Sequence, residues 1–330
     1  YGSLIDVEMY PVGHPCQTLR GRHPTPTQDR LRDFKPKNGV AIYNVHSSLP
    51  HKISGYTIRT ERVVSEISEF LDDVIVCNRL GFPLDRFDFL NEREIKDKEI
   101  IRDVEYRFFP EEEGIRGKKY QQYIQKTAEN IIKIAKEKNA SILHSASDFT
   151  IGLSTSLASK TLNIPFFYEM RGIWPLTRAS KDPVFKNSTE FKLMMRLEKQ
   201  CALEADVLFV ISEELKKFVL DWGVDEDKIV IMPNGADFTG VRSSICERLE
   251  RKHNFVLGYI GSIVSYESLE TLIKASHILE SRGFDNFSLQ IAGDGEEMDS
   301  LKTISAELGL RNVNFSGQVD PEEVSDVVEE

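Results

Sequence analysis

At 330 residues the chain exceeds the usual size of a single hydrophobic core, so its length predicts two domains. Forty per cent apolar and 29% charged residues is soluble globular usage, with no secretory signal and no run near the roughly 20 apolar residues that a membrane span requires. The net charge of −11, without a basic stripe, argues against a nucleic-acid partner. Cys16, Cys77, Cys201 and Cys246 lie far apart with no C-x-x-C pairing, the pattern of reduced, mostly buried thiols in a cytosolic protein rather than of a metal site.

In chain order, residues 20–37, rich in Pro, Arg and Lys, read as a solvated linker. From Gly39 onward short β-branched runs alternate with amphipathic stretches, the signature of βαβ units winding a parallel sheet. Strands are predicted over 39–46, 73–77, 140–145, 165–170, 206–211 and 228–233, and helices over 57–71, 119–138, 149–162, 188–204 and 213–222. Ser212, followed by two glutamates, reads as a helix cap with acids in the first turn. Pro233-Asn234-Gly235 then breaks the last strand and marks a domain boundary. A second series follows, with strands over 255–262, 287–293 and 312–317, helices over 268–282 and 296–308, and one more helix in the acidic stretch 320–330. The expected fold is α/β, with two parallel-sheet domains in tandem and a ligand crevice at the carboxyl ends of their strands.

Several strand-to-helix loops suit an anion. A strand ending at His46, a loop holding Pro50, Ser54 and Gly55, and a helix starting near Thr57 would place bare amides and a helix N-terminus together. Gly55 would let the backbone approach a phosphate, or serve only as a turn, and Arg59 lies in the first turn of the helix. Gly258-Tyr-Ile-Gly-Ser262 repeats the device, leaving the Gly261 and Ser262 amides free, and two such loops suggest a diphosphate ligand. Gly293-Asp294-Gly295 is a third such turn, suited to a base or a sugar, although G-D-G is also a common tight turn. Glu169 and Arg171 end a strand beside Gly172 and Trp174, either as a buried ion network or as ligand contacts. His144 either packs or hydrogen-bonds a sugar hydroxyl. No G-x-S-x-G, H-E-x-x-H or Walker A motif is present, which leaves hydrolase and P-loop readings without support.

Taken in order, SLPHKISGYTIRT, SILHSASDFTIGLS, FFYEMRGIWPLTRAS, EADVLFVISEELKKFV, IVIMPNGADF, LGYIGSIVSYESLETLIKA, LQIAGDGEEMDSLKTISAELGL and FSGQVDPEEV resemble a retaining glycosyltransferase of family four, over about residues 38–330. The resemblance implies the GT-B architecture, an acceptor-side Rossmann-like domain over 38–236 and a donor-binding one over 237–330. It implies a nucleotide-diphospho-sugar as co-substrate, no metal or other cofactor, and a saccharide or lipid-linked acceptor of polysaccharide biosynthesis with peripheral membrane contact. The donor would lie on Ser54, Gly55, Arg59, Gly261, Ser262, Gly293, Asp294, Gly295, Gln318 and Val319; the candidate catalytic residues, read from their places at strand ends, are Arg171, Glu169 and His144. In the front-face retaining mechanism the donor phosphate itself helps to deprotonate the acceptor, and the protein stabilises the leaving diphosphate.

The sequence departs from the family pattern in three places. Ser262 and Glu267 stand where many relatives carry an arginine and a lysine that neutralise the diphosphate, so Arg59, Arg171 or Lys274 would have to substitute. Arg171 stands where a histidine is often seen. The residues after Gly317 are too few for the spaced pair of glutamates that grips the donor sugar and ribose, so the second domain reads as incomplete. Residues 1–12, YGSLIDVEMYPV, resemble the segment that relatives carry just after the helix corresponding to 321–330. Leu4 to Tyr10 is accordingly expected to pair as a strand near 312–317, unless the arm is an unrelated extension. The expected activity is retaining transfer of a glycosyl group in the cytoplasm. The alternatives are a non-catalytic sugar-nucleotide or protein-binding module of the same fold, and a GT-B epimerase or phosphorylase.

Overall fold

The computed structural model describes residues 35–37, 39–85, 95–110, 119–235, 255–284 and 286–319. The strand expected over Leu4 to Tyr10, most of the linker, Cys16, Cys246 and the acidic helix expected over 320–330 lie outside the described residues.

Eight strands form one sheet in the order β3-β4-β2-β1-β5-β6-β7-β8. These are β1 (Val40–Val45), β2 (Asp73–Asn78), β3 (Lys98–Ile101), β4 (Val104–Arg107), β5 (Ile142–Ala146), β6 (Phe166–Met170), β7 (Val207–Val210) and β8 (Ile229–Ile231). β1 pairs in parallel with both β2 and β5, β2 with β4, and β7 with β8, while β3 runs antiparallel to β4. All six residues of β1 are buried, as a mostly apolar strand covered on both faces requires, and the polar Asn44 within it donates to the His144 carbonyl. Because strand order reverses at β1, its carboxyl end and that of β5 diverge there, the switch point at which open α/β sheets bind ligands.

Among the described residues eight α-helices are formed: α1 (Gly55–Ser68), α2 (Tyr120–Lys138), α3 (Phe149–Leu162), α4 (Trp174–Lys181), α5 (Thr189–Glu204), α6 (Glu213–Asp221), α7 (Leu269–Ser281) and α8 (Met298–Glu307). Helix α2 buries Thr127, Ala128, Ile131, Ile134 and Ala135, the i, i+4, i+7 spacing of one apolar face. Asn139 stops it in the left-handed conformation at φ 55°, its amide closing on the carbonyls of Ala135 and Lys136. That face packs with Val40, Ile42, Ile75, Cys77 and Leu143 into one core. The cap expected at Ser212 is formed, with Oγ accepting from the Leu215 amide at 3.1 Å. Cys77 and Cys201 are buried free thiols, and burial drives both pKa values up, that of Cys77 to about 12.

The hairpin of β3 and β4 and the helix α4 are additions to the sequence reading. Arg102 and Asp103 turn the hairpin with φ of 45° and 63°, the two-residue turn with both centres positive, built here without the Asn-Gly that usually announces it. Among the described residues a second sheet has three strands in the order β11-β10-β9, from β9 (Phe255–Ile260), β10 (Phe287–Ala292) and β11 (Val313–Gly317), both pairs parallel. Its core joins Leu289 and Ile291 to Ile273 of α7 and Leu301 of α8.

By compactness, the described residues up to Val45 with Val64–Ser145 and Thr150–Phe167 form one unit. His46–Val63, Ala146–Phe149 and the described residues from Tyr168 onward form the other, which carries nearly all of the expected site residues.

Candidate active site

Ser54 organises the loop after β1. Its carbonyl accepts from the amides of Thr57 and Ile58, both at 3.0 Å, and its own amide donates to Thr57 Oγ1 at 2.9 Å. This reciprocal cap opens α1 at Gly55 and leaves the amides of Gly55 and Tyr56 as the first donors of the helix. Gly55 is exposed, and a Cβ added there would meet none of the described residues within 4 Å, so packing against them does not require the glycine.

Tyr56, Ser147 and Glu169 hold this loop to its neighbours. The Tyr56 hydroxyl donates to the carbonyl of Ser147 at 3.0 Å and accepts from the His46 amide at 3.1 Å. Ser147 Nα donates to the Glu169 carbonyl at 3.0 Å, and its Oγ accepts from the Arg171 amide at 2.9 Å. Burial pushes the Tyr56 phenol up to about 12, against the opposing pull of Arg171, whose guanidinium lies 4.7 Å from the ring centroid. The phenol therefore stays a neutral donor at physiological pH.

The Glu169 carboxylate is fully buried and takes two arginines, Arg59 Nε at 2.8 Å and Arg171 at 2.9 Å. Arg171 also donates to the Tyr56 carbonyl at 2.8 Å and to Thr60 Oγ1 at 2.7 Å, both in the first turns of α1. Arg59 donates to the carbonyls of Met232 and Pro233 and to Asn234 Oδ1 at 2.9, 3.0 and 2.7 Å. Of the two readings open at Glu169 and Arg171, the geometry contains the buried ion network. Arg59 and Arg171 are both engaged by protein acceptors, and Lys274 pairs with Glu270 on the exposed face of α7. His144 sits inside β5, 6% exposed, with its ring stacked on Tyr43 at 4.2 Å and its carbonyl accepting from Asn44.

A second buried acid lies near this network. Glu198 of α5, fully buried, accepts from the Phe149 amide at 3.3 Å and from the Tyr168 hydroxyl at 3.0 Å. Burial and the Asp148 carboxylate raise its pKa to about 8.

In the second sheet the expected glycine loops are packed on one another. The Gly261 amide donates to the Ala292 carbonyl at 3.0 Å, which corrects the expectation that it would be free, because the β9–β10 ladder runs one residue further than the strand. Gly293 has φ 141° and donates to the Gly317 carbonyl at 2.6 Å, and an added Cβ would collide with the Gly261 carbonyl oxygen. At Gly295 a Cβ would collide with the Ile263 carbonyl, so both glycines answer to backbone contact. Asp294 Oδ1 accepts from the Gly295 amide at 2.8 Å, and its carbonyl accepts from Ile263. Ser262 accepts at its carbonyl from the Tyr259 hydroxyl at 2.8 Å. Gln318 is exposed and Val319 half-buried just beyond β11. Lys181 reaches the same half of the chain, 3.7 Å from Glu296 and 4.5 Å from the Tyr266 ring centroid.

The sequence reading missed Tyr56, Thr60, Ser147 and Glu198. Ser147 and Tyr56 had a usable signal, since they follow the two strands that flank the switch point; Glu198 had none, being one glutamate in a charged helix. Among the described residues no group of three or more His, Cys, Asp or Glu side chains could hold a metal ion, and no helix is long and apolar enough to cross a membrane.

Comparison with known proteins identifies the fold and the family. The chain is 28% identical over 171 residues to the capsular polysaccharide biosynthesis glycosyltransferase CapM of Staphylococcus aureus, which covers 48% of this chain and 44% of that protein. It spans about two fifths of the length of the curated relatives it matches. Among solved structures, sucrose-phosphate synthase from Thermosynechococcus elongatus superposes with a TM-score of 0.66 at 16% identity, covering 88% of this chain and 72% of that one. Anabaena HepE in complex with UDP gives 0.58 at 16% identity, covering 87% and 71%. These likenesses show the GT-B fold. The model of Glycosyl transferases group 1 matches residues 244–330 and that of Glycosyltransferase Family 4 matches residues 61–239, more than half of the chain, which therefore belongs to Glycosyltransferase Family 4.

Proposed function

We propose that the chain carries the working parts of a cytoplasmic glycosyltransferase that moves a hexosyl group from a nucleotide-diphospho-sugar to a saccharide or lipid-linked acceptor of envelope polysaccharide, with retention of configuration. The observation that carries this reading is the convergence of the loops after β1, β5 and β6 on one hydrogen-bonded point at the switch of the large sheet, which holds Tyr56, the residue after Gly55. The UDP in the HepE structure and the polysaccharide role in CapM's name support the donor and acceptor classes.

The amides of Gly55 and Tyr56, at a helix N-terminus, meet the diphosphate, because oriented N–H dipoles stabilise developing negative charge without reorganising. Glu169 and Arg171 act as positioning residues that fix Tyr56 and the first turn of α1, and His144 keeps the adjoining strand packed. Ser262 and the turn Gly293-Asp294-Gly295 contact the donor from the second sheet, with Gln318 and Val319 against the base. Proton transfer from the acceptor goes to the donor phosphate, so the reaction needs no metal.

A panel of nucleoside-diphospho-hexoses, followed by NMR of the anomeric product, tests this directly. Release of the nucleoside diphosphate with an α-linked product from an α-linked donor is expected. An inverted product contradicts the retaining mechanism, and no turnover of any donor by protein that binds a nucleoside diphosphate contradicts the assignment as an enzyme.

A further inference from the structure

Resting on the glycosyltransferase reading, we infer that Arg59 is a positioning residue that tethers the start of the connector between the two sheets to the helix beginning at the Gly55 loop. The chain leaves β8 at Met232, whose amide donates to the Val210 carbonyl at 2.8 Å and ends the ladder. Pro233 has no N–H to continue it. Pro233, Asn234 and Gly235 are exposed, and among the described residues the only hydrogen bonds made to this stretch come from Arg59. One guanidinium binds Met232 O, Pro233 O and Asn234 Oδ1 while its Nε rests on the buried Glu169 carboxylate.

That use of the fork suits arginine and no other side chain. A lysine offers one ammonium, which would pair with Glu169 or reach the carbonyls but would not span both. Glu169 also fixes Arg171, which holds Tyr56 O and Thr60 Oγ1, so the tether and the anion loop share one buried anchor. Arg59 works through this connector rather than by touching the diphosphate.

The test uses trypsin on the whole chain without ligand, because Arg242, Arg248, Arg251 and Lys252 place cleavage sites between 236 and 254. Cleavage there, relative to cleavage within the helices, reports release of residues 232–234 from Arg59, since proteolysis follows the population of the released state. Arg59→Ala is expected to raise this ratio about tenfold, the factor corresponding to about 1.4 kcal/mol, and Asn234→Ala, which removes one acceptor, about threefold. Arg59→Lys should resemble Arg59→Ala. A merely structural role raises cleavage everywhere and leaves the ratio unchanged, which would overturn the inference; if Arg59→Ala fails to fold, an unchanged ratio in Asn234→Ala does so alone. Failure of the wild-type chain to bind any of UDP, ADP and GDP would remove the nucleotide-sugar donor reading, and the ligand-free ratios would still decide on the tether.

Discussion

β1 and β9 begin the two sheets with similar sequences, VAIYNV and FVLGYI, and each runs into a loop and then a helix. All six residues of β1 are buried, whereas five of the six in β9 are exposed, Phe255 by 73% and Val256 by 55%. The difference lies in their neighbours: β1 pairs on both sides, with β2 and β5, while among the described residues β9 pairs only with β10. Local pattern makes both strands, and partners decide what each strand contributes to stability. The loops differ in the same sense. That after β1 is fixed by a buried carboxylate and two arginines, and that after β9 by the contact of Gly261 with Gly293.

Removing the anchor of the first loop should have the largest effect. Glu169→Ala leaves Arg59 and Arg171 without their shared anion and is expected to destabilise the chain by about 4 kcal/mol, read as a lowered denaturant midpoint. Next comes the contrast between the strands themselves. Ile42→Ala, at a fully buried site in β1, should lower stability by about 3 kcal/mol, and Val256→Ala in β9 by less than about 0.5 kcal/mol. Equal losses would show that β9 is covered as β1 is.

The two glycine loops separate at smaller scale. Gly293→Ala, strained in φ and colliding with Gly261, should cost about 2 kcal/mol, seen as faster amide exchange in β10. Gly55→Ala, in open space, should stay within about 1 kcal/mol. A further contrast is read as a slope with pH rather than as a single loss. The folded-state pKa of Glu198 stands at about 8, above its unfolded value, so the folded chain holds a proton that the unfolded chain has lost between about pH 4.5 and 8. Stability from this group is full below that window and falls as pH rises through it, on the order of 1 kcal/mol per pH unit. Glu198→Gln keeps a neutral amide in the same place, and its denaturation midpoint should be flatter across that window.

The parallel strands and long helices were legible because apolar runs and 3.6-residue periodicity are local properties; α2 and α3 were expected within one residue of where they form. The β3–β4 hairpin was hidden by its charged sequence, KEIIRDVEYR, and by a turn made with Arg102 and Asp103. Glu169 and Arg171 were visible as costly charges at a strand end, and the ion network was one of two readings. The hold of Arg59 on the stretch after β8 was not legible, because two of its acceptors there are backbone carbonyls 173 and 174 residues away, and carbonyls carry no sequence signal. The same limit applies to Gly261, whose amide is taken by a neighbouring strand rather than left to a ligand.

The most direct test of the central claim is calorimetric titration of the whole chain with UDP, alongside ADP and GDP. The account predicts saturable one-to-one binding of at least one of these nucleotides, weakened by Gly293→Ala, which deforms the donor turn, and retained in Val256→Ala. Binding of none of the three, by protein whose denaturation midpoint shows it folded, would contradict the assignment of these loops to a nucleotide-sugar donor.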